Sequence, residues 1–206
     1  TFFNEDLGYF KAIWIINYSL MFFSVLTFVN IYKIKSRLLG IINLCLNVFF
    51  LLTFLTQGLF VLSELRESYL NQELSLYFHV TYFNILIRYL SFAFVGLMLF
   101  SIYKYTRSEF LLPVRLNLTT AFDILFFSSI LWIASSELVT WMNIMRFSQS
   151  YKLGLSILWG VYALFLIALG IGKRKKHLRI GAIALFAATL VKLFFYDIAD
   201  LDTIAK

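Results

Sequence analysis

Residues 38–62 read LLGIINLCLNVFFLLTFLTQGLFVL, a run without one charged side chain. A helix rises about 1.5 Å per residue and the hydrocarbon core of a bilayer is about 30 Å thick, so about 20 such residues cross it. In hydrocarbon every backbone N–H and C=O must be paired within the protein, which makes the run a helix. Five more apolar runs stand around it, at 12–32, 83–103, 116–136, 153–172 and 180–196. The expected fold is therefore all-α, a polytopic integral membrane helix bundle of about six transmembrane helices. The whole segment, 1–206, reads as a single transmembrane bundle, and its start at Thr1 is read as that of a fragment of a longer many-span protein.

Composition agrees. Of 206 residues, 61% are hydrophobic, 19% aromatic and 14% charged, whereas a soluble domain is about 25% charged. The formal charge of +7 points away from nucleic acid once its placement is traced. Lys33, Lys35 and Arg37 fall between the first two runs; Lys104, Arg107 and Arg115 fall between the third and fourth. Lys173, Arg174, Lys175, Lys176 and Arg179 fall between the last two, and across all three loops the one acid is Glu109. The other side carries Glu5, Asp6, Glu64, Glu67, Glu73, Asp200 and Asp202. Basic loops stay in the cytoplasm, so both ends of the segment are expected outside. The expected partners are the bilayer itself, anionic lipid headgroups at Lys173, Arg174, Lys175, Lys176 and Arg179, and other membrane helices.

Several chemistries find no support. A lone Cys45 makes no internal disulfide and reads as a small buried apolar residue. Two histidines, His79 and His177, read as surface residues and leave no zinc spacing, so neither metal nor cofactor is expected. There is no HExxH, GxSxG, Walker or GxGxxG pattern, and no helix carries the serial arginines of a voltage sensor.

The informative residues are the ionisable ones inside the spans, since a charge there costs about 2.5–3.5 kcal/mol on insertion scales unless it is partnered. These are Arg88, Asp123, Glu137, Lys192 and Asp197. Arg88 shares a helical face with Asn84 and Ser91, with snorkelling to the headgroups as the bland alternative. Asp123 and Glu137 project from one face of the fourth span, about 21 Å apart along its axis; they are the candidate proton relay, against the plainer role of helix-packing polar groups. Lys192 is expected to pair with Glu137. Arg88, Glu137, Lys192 and Asp197 all fall in the outward half and form the candidate substrate-binding pocket.

Packing features complete the reading. Asn17, Ser24, Asn43, Asn47, Thr53 and Gln57 are expected to make interhelical hydrogen bonds. Small-residue stripes, Ser156/Gly160/Ala163 and Gly181/Ala184/Ala188, are expected to bring the last two spans together as a tight hairpin. Residues 63–80 are expected to form an interfacial helix on the outer surface, and Pro113 to mark the start of the fourth span.

The last quarter carries an ordered set of landmarks: Trp159, Tyr162, Gly170, a basic run to Leu178 and Arg179, a small-residue span from Gly181 to Thr189, then Lys192 and Asp197. This set resembles the bacterial membrane family known as domain of unknown function 2339, with a looser likeness around Ser136, Glu137 and Trp141. The resemblance implies the bacterial inner membrane and a long, many-span parent chain, and it supplies no activity. The functional expectation is a transport-related or a structural and assembly module of the bacterial inner membrane. The alternative is a membrane enzyme acting on a lipid-linked or envelope substrate at the outer leaflet, with Glu137 as base and Arg88 and Lys192 holding an anionic headgroup; catalysis is the less favoured of these.

Overall fold

The structure is a computed structural model; it describes residues 2–71, 83–108, 117–145 and 151–197. Every regular element among them is helical: α1 (Phe2–Val29), α2 (Arg37–Thr53), α3 (Leu59–Asn71), α4 (Phe83–Thr106), α5 (Leu118–Ile144), α6 (Tyr151–Gly172) and α7 (Lys176–Lys192). Three π-helical segments, Asn30–Ile34, Phe54–Gly58 and Leu193–Asp197, extend or join them. Six helices are long and apolar enough to cross a membrane: Gly8–Ile34, Arg37–Ser68, Ile85–Thr106, Leu118–Ile144, Lys152–Gly172 and Lys176–Phe195. The chain is a multi-pass membrane protein.

The second span is longer than its apolar run. The π-turn Phe54–Gly58 joins α2 to α3 without a break, and at 58 the Phe54 ring lies so close that a Cβ would meet its Cδ2 at 2.7 Å. Glycine is what lets the ring fold back there. Beyond the turn, Leu65 and Arg66 are buried. Residues 63–71 thus continue the span into the packed core and do not form a separate interfacial helix. The charges there mislead because Glu67 is exposed while Arg66 is taken into the packed face, its guanidinium met by Ser63 and Glu67. The rest of the expected interfacial segment, with His79, and Pro113 lie outside the described residues.

The chain divides into two compact units, Thr1–Phe122 and Asp123–Lys206. In the first, α1, α2, α3 and α4 pack on one another, and α4 is the hub: 44% of its most apolar stretch is buried. Ile13, Leu20, Leu51, Phe54, Leu65, Ile87, Val95, Met98 and Tyr105 fill the core. Cys45 faces outward from α2 and is exposed, against the expectation of burial; a thiol is apolar enough to meet acyl chains.

In the second unit α6 and α7 form an antiparallel hairpin. The turn is short because Arg174 adopts φ 52 and Lys175 N–H donates to the Gly170 carbonyl at 3.0 Å. A Cβ at 170 would stand 3.1 Å from the Arg179 backbone nitrogen and 3.3 Å from Leu178 Cβ, so glycine sets the close approach. Of the stripe on α6, Ser156 and Ala163 are buried, while Gly160 is half-buried and a Cβ there would meet nothing within 4 Å. The stripe on α7 is not buried: Gly181, Ala184 and Ala188 are exposed, while Leu178, Ala182 and Thr189 are buried. The partner of α6 is a face rotated by one residue, where Leu178 meets Gly170 and fixes the rotation of the helix.

Candidate functional site

The first unit holds a buried polar cluster near the basic loops. Asn30, at the end of α1, accepts from Ser36 N–H through Oδ1 at 3.0 Å. Its Nδ2 donates to the Ser36 carbonyl at 3.1 Å and to the Tyr105 hydroxyl at 3.0 Å. The same hydroxyl accepts from Asn43 Nδ2 at 3.3 Å. Thr27 gives its proton to the Phe23 carbonyl and accepts from Asn43 at 2.9 Å and Asn47 at 2.8 Å. Asn30, Thr27, Asn47 and Tyr105 are fully buried. The cluster ties α1, α2 and α4 together and closes the α1–α2 turn, where Lys35 takes φ 52.

Further along, Asn17 donates to Ser91 at 2.9 Å, and Ser24 reaches Met98 Sδ at 3.6 Å. Asn17, Ser24, Asn43 and Asn47 therefore make the expected interhelical bonds. Thr53 does not: its hydroxyl returns to the Phe49 carbonyl of its own helix. Gln57 is exposed on the outside of the π-turn. Asn30 and Tyr105 went unread in the sequence because each sits at the end of an apolar run, where a polar residue signals only the membrane surface.

Arg88 is 2% exposed, which decides against snorkelling. Its guanidinium lies 5.5 Å from the Phe92 ring centroid, a distance that suits cation–π attraction. Arg66, on α3, is also buried and bonds to Ser63 Oγ at 2.9 Å and Glu67 at 3.1 Å. Ser91, expected on the Arg88 face, donates to the Ile87 carbonyl and accepts from Asn17. The Asn84 side chain lies outside the described residues.

In the second unit Asp123 is the centre of an ionic cluster. Its Oδ2 accepts from Lys175 Nζ and from His177 Nε2, the latter at 2.9 Å. Lys175 and His177 thus act within the protein, where the sequence suggested a headgroup contact and a surface histidine. The pairing spans more than fifty positions, so no local sequence pattern marks it.

Lys192 Nζ donates to Ser156 Oγ at 2.7 Å and to the Lys152 carbonyl at 2.9 Å, binding the end of α7 to the start of α6. Glu137 is half-buried on α5. The Asp197 side chain lies outside the described residues. Of the four expected pocket residues, Arg88 belongs to the first unit and Glu137, Lys192 and Asp197 to the second.

Helix α5 joins the hairpin by reach. Trp159 Nε1 donates to Ser135 Oγ at 2.9 Å, and the Tyr162 hydroxyl donates to the Phe127 carbonyl at 2.8 Å. Between these long side chains and the Asp123 cluster runs a half-open cavity of about 190 Å³, walled by α5, α6 and α7. Its lining is apolar apart from Ser128, Tyr162 and His177. Among the described residues no group of three or more metal-ligating side chains gathers.

The chain belongs to the family of predicted membrane proteins of unknown function DUF2339, which matches residues 6–206. The match takes in nearly the whole segment, well beyond the C-terminal quarter whose landmarks first suggested it. No curated protein and no solved structure matches the chain.

Proposed function

We propose that this DUF2339 member is a structural and assembly module of the bacterial inner membrane, with its basic loops in the cytoplasm and both ends of the segment outside. One observation carries the reading: ionic groups in the second unit are engaged in holding helices together. Asp123 bonds α5 to the turn before α7 and to α7 itself, and Lys192 bonds α7 to α6. Such bonds specify which helix faces meet. The charge asymmetry of the loops supports the orientation.

Neutral variants test it. Asp123→Asn and Lys192→Met are expected to lower the amount of protein accumulating in the membrane and its unfolding midpoint in detergent together. For the Glu137–Lys192 pairing, single changes are expected to lower accumulation and Glu137→Gln with Lys192→Met to restore it. A variant that accumulates fully, unfolds like the parent and still loses a cellular phenotype would overturn the structural reading in favour of a transport-related one. Cysteine labelling from either side of the membrane at Lys35 and Lys173 tests the orientation.

A further inference from the structure

The cavity of the second unit has the length and surroundings to seat a stretch of one lipid tail. It exists because α5 is held off the hairpin by Trp159 and Tyr162 while the facing positions, Ser128 on α5 and Gly181 on α7, are small. A Cβ placed on Gly181 meets nothing within 4 Å. Along α7 the lining runs from His177 to Leu185, eight residues or about 12 Å of helix. That is close to the roughly 15 Å depth of a single leaflet's hydrocarbon. It is too short to seat a further transmembrane helix along its length.

The two ends differ in chemistry. One, walled by Leu131 on α5 and Leu185 on α7, is apolar. The other ends at His177, inside the basic loop, where Lys173, Arg174, Lys176 and Arg179 are all exposed. Asp123 engages Lys175 and His177, which leaves those four cations facing outward. A greasy slot one leaflet deep that opens under a cationic rim is complementary to an amphiphile with a hydrocarbon tail and an anionic head.

We infer that the α5–α6–α7 groove binds one acyl chain of an anionic phospholipid from the leaflet beside the basic loops, its phosphate held by that loop. The inference goes beyond the proposed assembly role and stands whether or not the module has a transport role.

The test uses the full chain, purified in detergent and incubated with mixed micelles carrying phosphatidylglycerol or phosphatidylcholine of the same acyl composition. Native mass spectrometry counts the lipids retained. The expected result is one phosphatidylglycerol per chain, kept in about tenfold preference to phosphatidylcholine. Gly181→Phe fills the slot from α7 and is expected to lower retention by about tenfold with the helical circular dichroism unchanged. Ser128→Leu fills it from α5 and serves if the first variant loses helix. Lys176→Gln with Arg179→Gln is expected to bring phosphatidylglycerol down to the phosphatidylcholine level. Equal retention of the two lipids by the parent chain, or parental retention by a folded slot-filling variant, would overturn the inference.

Discussion

The two units solve the same problem differently. In the first, 44% of the most apolar stretch of α4 is buried, and polar side chains meet inside: Asn30, Asn43, Thr27, Asn47 and Tyr105 share one cluster. In the second, only 6% of the corresponding stretch of α5 is buried, and long side chains bridge a gap that backbones do not close. Lipid tails are as apolar as leucine, so burial of apolar surface adds little association energy in a bilayer. Packing fit and hydrogen bonds decide. The first unit is rich in both; in the second the α6–α7 hairpin packs closely, and α5 is held to it by bonds at a few points around an open slot.

This contrast sets an order of mutational effects, each read as a shift in reversible unfolding in detergent micelles. Tyr105→Phe strikes hardest. It keeps the ring and removes the hydroxyl that Asn30 and Asn43 share; Asn43 retains Thr27 and the Phe23 carbonyl, and one buried N–H of Asn30 loses its acceptor, at a cost of about 3 kcal/mol. A loss below about 1 kcal/mol would mean that the cluster does not hold the first unit together. Gly170→Val follows, at about 2 kcal/mol, because the hairpin must open where the Arg179 backbone now lies 3.1 Å from the missing Cβ. Asp123→Asn comes next at about 1 kcal/mol, since Lys175 is part-exposed and its bond is shared with solvent or headgroups. Trp132→Leu, on the open side of α5 where the indole is 52% exposed, changes stability by less than about 0.5 kcal/mol. If the Trp132 change matched the Tyr105 change, the contrast between a closed unit and an open one would be broken.

How much of this was legible follows from what the bilayer forces. Six spans could be read because lipid demands long uncharged helices, and any run such as 38–62 declares itself. The four polar residues Asn17, Ser24, Asn43 and Asn47 could be read as helix ties because a carboxamide or hydroxyl deep in a span needs a partner. Positions near span ends carried no such signal, which is why Asn30 and Tyr105 were passed over and why residues 63–71 looked interfacial. Helix rotation was also hidden. The small faces Gly181/Ala184/Ala188 and Ala182/Thr189 are equally good on paper, and the choice between them rests on Gly170 meeting Leu178, a contact between two helices. The Asp123 cluster required the same three-dimensional knowledge. The candidate pocket gathered Arg88 with Lys192 by depth alone, and depth does not say which neighbour a side chain turns toward.

Among the described residues, two sharp reversals next to basic segments place a long cationic side chain in the left-handed backbone region: Lys35 and Arg174, each at φ 52. L-residues pay about 1–2 kcal/mol there, and glycine would not. Glycine would also strip a positive charge from a short loop, where such charges bias how a nascent span is threaded. The same two side chains therefore carry opposed interests: a relaxed turn in the finished protein asks for their removal, and correct threading during synthesis asks for their retention. Lys35→Gly and Arg174→Gly chains should accordingly come out more heat-resistant yet more often inverted.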